Sequence, residues 1–445
     1  MDVTLFNTLS RTLEKLEPLH DREVRMYHCG PTVYDYAHIG NLRSFIFADI
    51  LRRTLEYAGY SVKQVMNITD IDDKTIKRSR DEGVTLATIT NRYEDIFLAD
   101  LRHLNIKVPE RMPHATEHVG GMIALIEKLL REGFAYTADD GVYFDIAKSK
   151  GYGTLAELDL NAVTESRIGN DEYDKKNARD FALWKFWTPE DGENVFDASF
   201  GRGRPGWHIE CSAMAMSELG DETIDIHTGG IDLVFPHHTN EIAQSEAATG
   251  KQFAKYWLHN EFVMVDGQKM SKSLGNITTL KTVAEHGINP LAFRYFILGT
   301  HYRAKANFTW EGLAGAQTAL IRLSDHLGEE IGTVHKEYQK RFAEFVASDL
   351  DTPRALALAW EVAKDPSLST ADKTATLLDF DRVLGLGLTV RVPEKIPAEI
   401  SSLVGTREEA RQNKDWAKSD KIRDKINALG WDILDTDKGS EIRRK

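Results

Sequence analysis

Residues 23–68 constrain the fold more than any other stretch of the chain. EVRMYHC (23–29) reads as a strand, with Val24 and Met26 alternating against polar neighbours. Gly30, Pro31 and Thr32 break that run. From Ile39 to Tyr57 the apolar residues Phe45, Phe47, Ile50, Leu51 and Leu55 recur at helical spacing, and Gly59 closes the helix. SVKQVMNI (61–68) then reads as a second strand. Strands joined through a helix pair in parallel, so the expected class is α/β.

The rest of the chain reads as additions to that unit. A helix is expected over 117–132, then short β-like pieces around Tyr136 and Tyr143, then a charged stretch, together an insertion between two halves of one α/β domain. ETIDIH (222–227) starts the second half, followed by a turn at Thr228, Gly229 and Gly230 and a helix from about Pro236, since proline suits a first helical turn. Asp266 and Gly267 between β-like residues mark a hairpin. Residues 311–386 are helical and rich in Ala and Leu, 391–400 with two prolines read as a linker, and 401–445 hold a helical stretch and a β-like WDIL.

Composition narrows the class. At 445 residues the chain is too long for one ordinary domain, and 42% hydrophobic with 28% charged residues is globular. No run of about 18 apolar residues is present, so no membrane span is expected, and MDVTLFNTLS does not read as a secretory leader. Two cysteines cannot frame disulfides, which points to a reducing, cytoplasmic setting. The net charge of −13 argues by itself against nucleic acid. Residues 401–445 differ, with 11 Lys and Arg against 9 Asp and Glu.

Three segments carry chemistry. PTVYDYAHIGN (31–41) lies where a strand meets a helix, and a helix N-terminus offers free N–H groups to an anion. There Gly40 allows close backbone approach, and His38 and Asn41 can donate to phosphate. KMSKSLGN (269–276) follows the hairpin, and Lys269 and Lys272 suit a loop that folds over a polyphosphate. The third segment set is Cys29, Cys211, His237 and Glu241. His237 and Glu241, at i and i+4, project from one helix face. Two thiolates, an imidazole and a carboxylate make a chemically sensible Zn2+ site. Two distant cysteines are ordinarily core residues, but Cys29 and the residues around His237 both fall at carboxyl ends of expected strands, where open α/β sheets bind ligands.

HIGN (38–41) paired with KMSKS (269–273) resembles the signatures of the class I aminoacyl-tRNA synthetases, with Asn41 in place of the usual final His. CGPTVYD (29–35), NITDIDDK (67–74), GWHIECS (206–212), GGIDLVFPHH (229–238) and KMSKSLGN, in that order, resemble the cysteinyl-tRNA synthetase family over essentially the whole chain. The resemblance implies a Rossmann-type parallel-sheet catalytic domain split by an insertion, followed by an α-helical domain and a small C-terminal domain. The implied division is 1–115 and 201–265 for the catalytic halves, 116–200 for the insertion, 266–310 for the KMSKS loop and stem-contact region, 311–390 for a tRNA-binding bundle and 401–445 for an anticodon-binding domain.

By the same resemblance, Cys29, Cys211, His237 and Glu241 hold one zinc that binds the substrate thiolate, with His238 outside the ligand set. ATP with Mg2+ is held by Thr32, His38, Gly40, Asn41, Gly229, Gly230, Asp232 and Lys272. Thr69, Asp70 and Trp207 line the cysteine pocket with Cys29. His38, Asn41, Lys269 and Lys272 stabilise developing charge as cysteine becomes cysteinyl adenylate and passes to tRNA(Cys). The implied protein is a cytoplasmic monomer. A second reading is the mycothiol-pathway cysteine ligase, which couples cysteine to an amino sugar and has no use for residues 401–445. In the tail, Trp416, Trp431, Arg407 and Arg411 are candidate tRNA contacts, with core packing of the small domain as the alternative for either tryptophan.

Overall fold

The computed structural model describes residues 1–158, 180–270, 275–389, 397–436 and 439–444. Lys272, the charged stretch after residue 158 and most of the proline-marked linker lie outside them. A four-stranded parallel sheet organises the first part of the chain, in the order Ala254–Asn260, Ile224–Gly230, Glu23–His28, Ser61–Met66. The expected strand–helix–strand opening is present, with the helix at Ile39–Tyr57. The strands at 23 and 61 build outward in one direction and those at 224 and 254 in the other. Strand order therefore reverses between Glu23–His28 and Ile224–Gly230, and the crevice at their carboxyl ends is where such sheets bind ligands.

Both sheet edges are covered, which removes the usual hazard of unpaired edge groups. An antiparallel hairpin, Thr4–Asn7 with Thr12–Lys15, lies against the strand at 254: Thr8 N–H donates to Trp257 O (2.7 Å) and Asn7 Oδ1 accepts from Trp257 N–H (3.0 Å). The sequence reading did not expect this hairpin. On the other edge Met66 N–H donates to Arg111 O (3.2 Å) and Ile68 N–H to Pro113 O (2.8 Å). Between the sheet halves stands an antiparallel sheet of Ala135–Thr137, Gly141–Phe144, Phe181–Phe186 and Gly203–Pro205. Its last strand feeds directly into helix Trp207–Leu219, which the sequence reading also lacked.

One local expectation is corrected and another holds. Thr228, Gly229 and Gly230 do not form a turn. They pair with Leu258, His259 and Asn260 and stay in the strand. The next helix does start at Pro236, as expected: Phe235 is extended (φ −139°, ψ 130°), as a residue before proline prefers, and from Pro236 a wide turn through His238 continues into Thr239–Thr249.

Helices Trp310–Ser324, Lys336–Ala347, Thr352–Lys364 and Thr370–Leu384 complete the compact unit Met1–Thr389. One buried network joins this part to helix Ile39–Tyr57. Asp49, on Ile39–Tyr57, accepts from Arg294 Nη2 (2.6 Å) and Arg53 Nε (2.8 Å). Arg294 also donates to Leu384 O (2.7 Å) and Leu104 O (3.1 Å).

The second unit, Val390–Lys445, is described by itself. Helices Ala398–Gln412 and Trp416–Ala428 pack with the antiparallel pair Trp431–Thr436 and Gly439–Arg444 over a core of Ile400, Val404, Ile426, Trp431 and Ile433. Trp431 thus takes the core alternative, Arg407 is interior against the expectation that it meets tRNA, and Trp416 is 58% exposed.

Breaking the Asp49–Arg294 pair leaves a buried carboxylate without its second cation. Arg294→Met should cost about 3–5 kcal/mol, read as a lower urea midpoint for the main unfolding transition. A midpoint equal to the parent's would show that the network adds nothing.

Candidate metal centre

Cys29 stands one residue past the strand Glu23–His28, and its N–H still donates to Thr228 O (3.3 Å) across the strand reversal. Cys211 comes from helix Trp207–Leu219, His237 from the wide turn and Glu241 from the first turn of Thr239–Thr249. The structure brings these four together: all are buried, and their ligand atoms lie within 4.8 Å of one another. The two sulfurs are 3.8 Å apart, far beyond a disulfide bond. His237 Nε2 is 3.0 Å from Glu241 Oε1, and Cys29 Sγ 3.8 Å from the same oxygen.

The donor set fits Zn2+. Two bonds of about 2.3 Å meeting at a tetrahedral angle place their sulfurs about 3.8 Å apart, and that is the separation found. The charges also fit. Burial opposes ionisation of Glu241, but His227 and His237 pull its carboxyl down to about 2. Burial likewise opposes a charged His237, yet Glu241 and Cys211 push it up to about 10. Cys211 is drawn down to about 6, against burial, by its contact with Cys29 and by His237. Burial and the Cys211 sulfur hold Cys29 well above the usual thiol range. The cluster thus carries carboxylate and thiolate charge balanced by the His237 imidazolium, whose proton a bound metal ion would displace.

A second quartet shares two of these residues. Cys29, His227, His238 and Glu241 also lie within 4.8 Å of one another. His238 Nε2 is 3.3 Å from Cys29 Sγ, and its Nδ1 meets His259 Nε2 at 2.7 Å. Burial and the neighbouring imidazoles hold His238 well below the usual histidine range. His227 Nε2 braces Glu241 Oε2 at 2.9 Å. The first quartet has the softer, two-sulfur donor set, which zinc favours.

The residues around the cluster sort themselves by contact. Trp207 stacks on His237, centroids 4.1 Å apart, and is 38% exposed, so it forms a lip rather than core. Thr69 is buried and donates to Glu210 Oε2 (2.8 Å), and its backbone bridges Thr32. Asp70 turns to Thr116, accepting from its N–H at 3.0 Å. Asp72 caps helix Asp73–Glu82, and Asp73 pairs with Lys185 and Arg204, so the carboxylates of NITDIDDK are engaged. Gly229 is required by space: a Cβ there would stand 2.8 Å from the His238 ring. Gly230 sits beside Asp232, which lies in the short helical turn Ile231–Leu233.

Sequence reasoning missed His208, His227, His259, Asn67 and Glu210. His208 Nδ1 meets His237 Nδ1 at 3.0 Å, and Asn67 Oδ1 lies 3.7 Å from Cys211 Sγ. The signal for His227 and His259 was a single imidazole near the carboxyl end of a β-like run, IDIHTGG and AKYWLHN.

At the other end of the crevice, His38 and Asn41 cap helix Ile39–Tyr57 reciprocally: Asn41 N–H donates to His38 Nδ1, and His38 N–H to Asn41 Oδ1, each at 3.2 Å. The Asn41 oxygen is used by the cap, and the residue is exposed. Gly40 follows within this first turn. Lys269 ends the hairpin strand Gln268–Lys269 and is exposed.

Residues 15–318 match the family model for the class I (C) tRNA synthetase catalytic domain, and residues 394–443 match that for the cysteinyl-tRNA ligase anticodon binding domain. The chain is 42% identical to a cysteine–tRNA ligase of Protochlamydia amoebophila, covering 99% of this chain and 98% of that one. It is 41% identical to another from Brachyspira hyodysenteriae, covering 100% of both. Among solved structures it resembles a Mycobacterium tuberculosis methionyl-tRNA synthetase in complex with methionyl-adenylate (TM-score 0.55, 16% identity, 82% of this chain and 90% of that one). A ternary LeuRS–tRNA–LeuAMS complex from Agrobacterium radiobacter is similar at TM-score 0.58 and 12% identity, covering 84% and 85%.

The reciprocal cap makes a stability test. Asn41→Ala removes the acceptor for His38 N–H and should cost about 1 kcal/mol. Asn41→Asp keeps an acceptor at a helix N-terminus and should cost close to nothing. Thermal unfolding of the three chains checks this, and equal midpoints for all three would contradict it.

Proposed function

The chain belongs to the cysteine–tRNA ligase family of class I aminoacyl-tRNA synthetases, and we propose that it activates cysteine with ATP and transfers it to the 3′ end of tRNA(Cys), using one zinc to recognise the thiol. The observation that carries the reading is the buried Cys29, Cys211, His237 and Glu241 cluster at the strand reversal, with its sulfurs 3.8 Å apart. When bound there, zinc would supply a Lewis acid that favours a thiolate and discriminates against the serine hydroxyl, a distinction an apolar pocket makes only weakly, by about 1–3 kcal/mol.

The chain's own residues do the rest. Trp207, stacked over His237, closes the open side of the cluster against water. Thr69, fixed by Glu210, and Cys29 form the pocket floor. Asp70, committed to Thr116, supports the pocket wall from behind. Thr32, Gly229, Gly230 and Asp232 flank the crevice where ATP would lie. At its far side the helix N-terminus, His38, Gly40 and the Asn41 amide present donors to the phosphates. Lys269 and Lys272 add positive charge as the cysteine carboxylate attacks the α-phosphate and pyrophosphate leaves. Catalysis is then positioning plus electrostatic stabilisation. Since Asp70, Asp72 and Asp73 are all engaged, Mg2+ is read as travelling with the ATP phosphates. A cytoplasmic monomer fits this reading.

The amino-sugar ligase reading is not favoured. It has no use for a tail, and residues 394–443 match an anticodon-binding domain. Within that tail Trp416, 58% exposed with Arg411 over its ring at 6.0 Å, offers a stacking face for a tRNA base.

ATP–pyrophosphate exchange should depend on cysteine and stay near background with serine. Cys211→Ser should lose most of its zinc together with that exchange, and full exchange in metal-free protein would overturn the zinc reading. Trp416→Ala should leave exchange unchanged and weaken tRNA charging about fivefold or more, the scale of one lost base stack. Undiminished charging would remove Trp416 from the interface.

A further inference from the structure

The hairpin that carries Lys269 is tied to helix Ile39–Tyr57 on both sides. On its exit, Ile39 N–H donates to Thr278 O (2.9 Å), and His38 bridges Thr279. On its entry stands Arg43, 1% exposed and without a salt-bridge partner among the described residues. Its guanidinium grips main-chain carbonyls: Nη1 donates to Phe262 O (2.7 Å), and Nη2 to Ala304 O (2.6 Å), His301 O (3.2 Å) and Tyr302 O (3.3 Å). Burial lowers Arg43 only to about 10, so it is charged at neutral pH.

Phe262 is therefore held by its carbonyl at the foot of the hairpin. The chain runs out along Val263–Val265, turns at Asp266 and Gly267, both at positive φ, and returns along Gln268–Lys269 with Lys269 opposite Met264. The return brings the Lys269 ammonium over the Phe262 ring, 4.7 Å from its centroid. The next residue, Met270, reaches the HIGN turn: a Cβ on Gly40 would stand 2.7 Å from Met270 Cε and 3.0 Å from the His38 ring.

We propose that Phe262 is a positioning residue for adenylate formation, its ring holding the Lys269 ammonium beside the HIGN turn before ATP arrives, and itself fixed by the Arg43 grip on its carbonyl. This rests on the role for Lys269 given above. A lysine on its four-carbon stem spreads its charge over many rotamers. An aromatic face within about 6 Å attracts the ammonium and narrows that spread. Charge placed in advance needs no reorganisation when negative charge develops on the phosphate.

The test is single-turnover cysteinyl-adenylate formation by the full-length protein. Phe262→Leu should slow the step about fivefold, with Phe262→Tyr restoring it to within about twofold because the ring face returns. The KM for cysteine and the thermal midpoint should be unchanged in both. Lys269→Ala should be slow, and Phe262→Leu should add no further loss in that background. Should the leucine variant not fold, Phe262→Met fills similar volume without a ring and carries the same expectation. The proposal is overturned if Phe262→Leu is as fast as the parent or faster, which would make the ring a latch. It is equally overturned if tyrosine does no better than leucine, or if the loss persists undiminished without Lys269. A Lys269→Ala chain at the parent rate would instead remove the catalytic role of Lys269 on which the proposal stands.

Discussion

The pairing of Met26, Tyr27 and His28 with Ile226, His227 and Thr228 is the contact on which the site depends. It is parallel, and it joins strands that lie far apart in the chain. It also marks the place where strand order reverses. Everything at the carboxyl ends of those two strands is thereby forced into one crevice. Cys29 leaves one strand there, and the segment bearing His237 and Glu241 leaves the other. Helix Trp207–Leu219 crosses behind them with Cys211. The four residues of the cluster come from three separated segments because the sheet, not the local sequence, gathers them.

Such a gathering is costly without compensation. A carboxylate and a thiolate buried alone would be driven to their neutral forms. Glu241 escapes because His227 meets one oxygen at 2.9 Å and His237 the other at 3.0 Å. Those imidazoles are held in turn: His237 by His208 and the stacked Trp207, His227 by the parallel face of Trp257 at 4.5 Å. The same logic recurs away from the cluster. Arg294 is buried against Asp49 and carbonyls, and Arg43 against four carbonyls. Each buried cation ties helix Ile39–Tyr57 to a segment distant in sequence.

Much of this was legible from the chain. Periodicity read the opening α/β unit, because Ile39–Tyr57 is long and its apolar spacing is helical. Asp266 and Gly267 read the hairpin, since both residues must adopt positive φ. The pairing of Cys29 and Cys211 with His237 and Glu241 could be reasoned from strand ends and donor chemistry. What failed was local geometry under tertiary control. Thr228, Gly229 and Gly230 look like a turn, but a neighbouring strand satisfies their backbone groups. The hairpin at Thr4–Asn7 is too short for a pattern to register. Arg407 looked like an RNA contact, yet it is buried, and of the two tail tryptophans Trp431 is the one that packs the core. Phe262 carried no signal at all, because its value lies in what folds back over it.

The central claim is that a metal held by Cys29, Cys211, His237 and Glu241 reads the cysteine thiolate. X-ray absorption at the zinc K-edge tests it directly, on the full-length protein with and without cysteine. The expected result is a sulfur shell at about 2.3 Å that gains one scatterer when cysteine is added and none when serine is added. A sulfur shell that is the same with cysteine as without it would contradict the account.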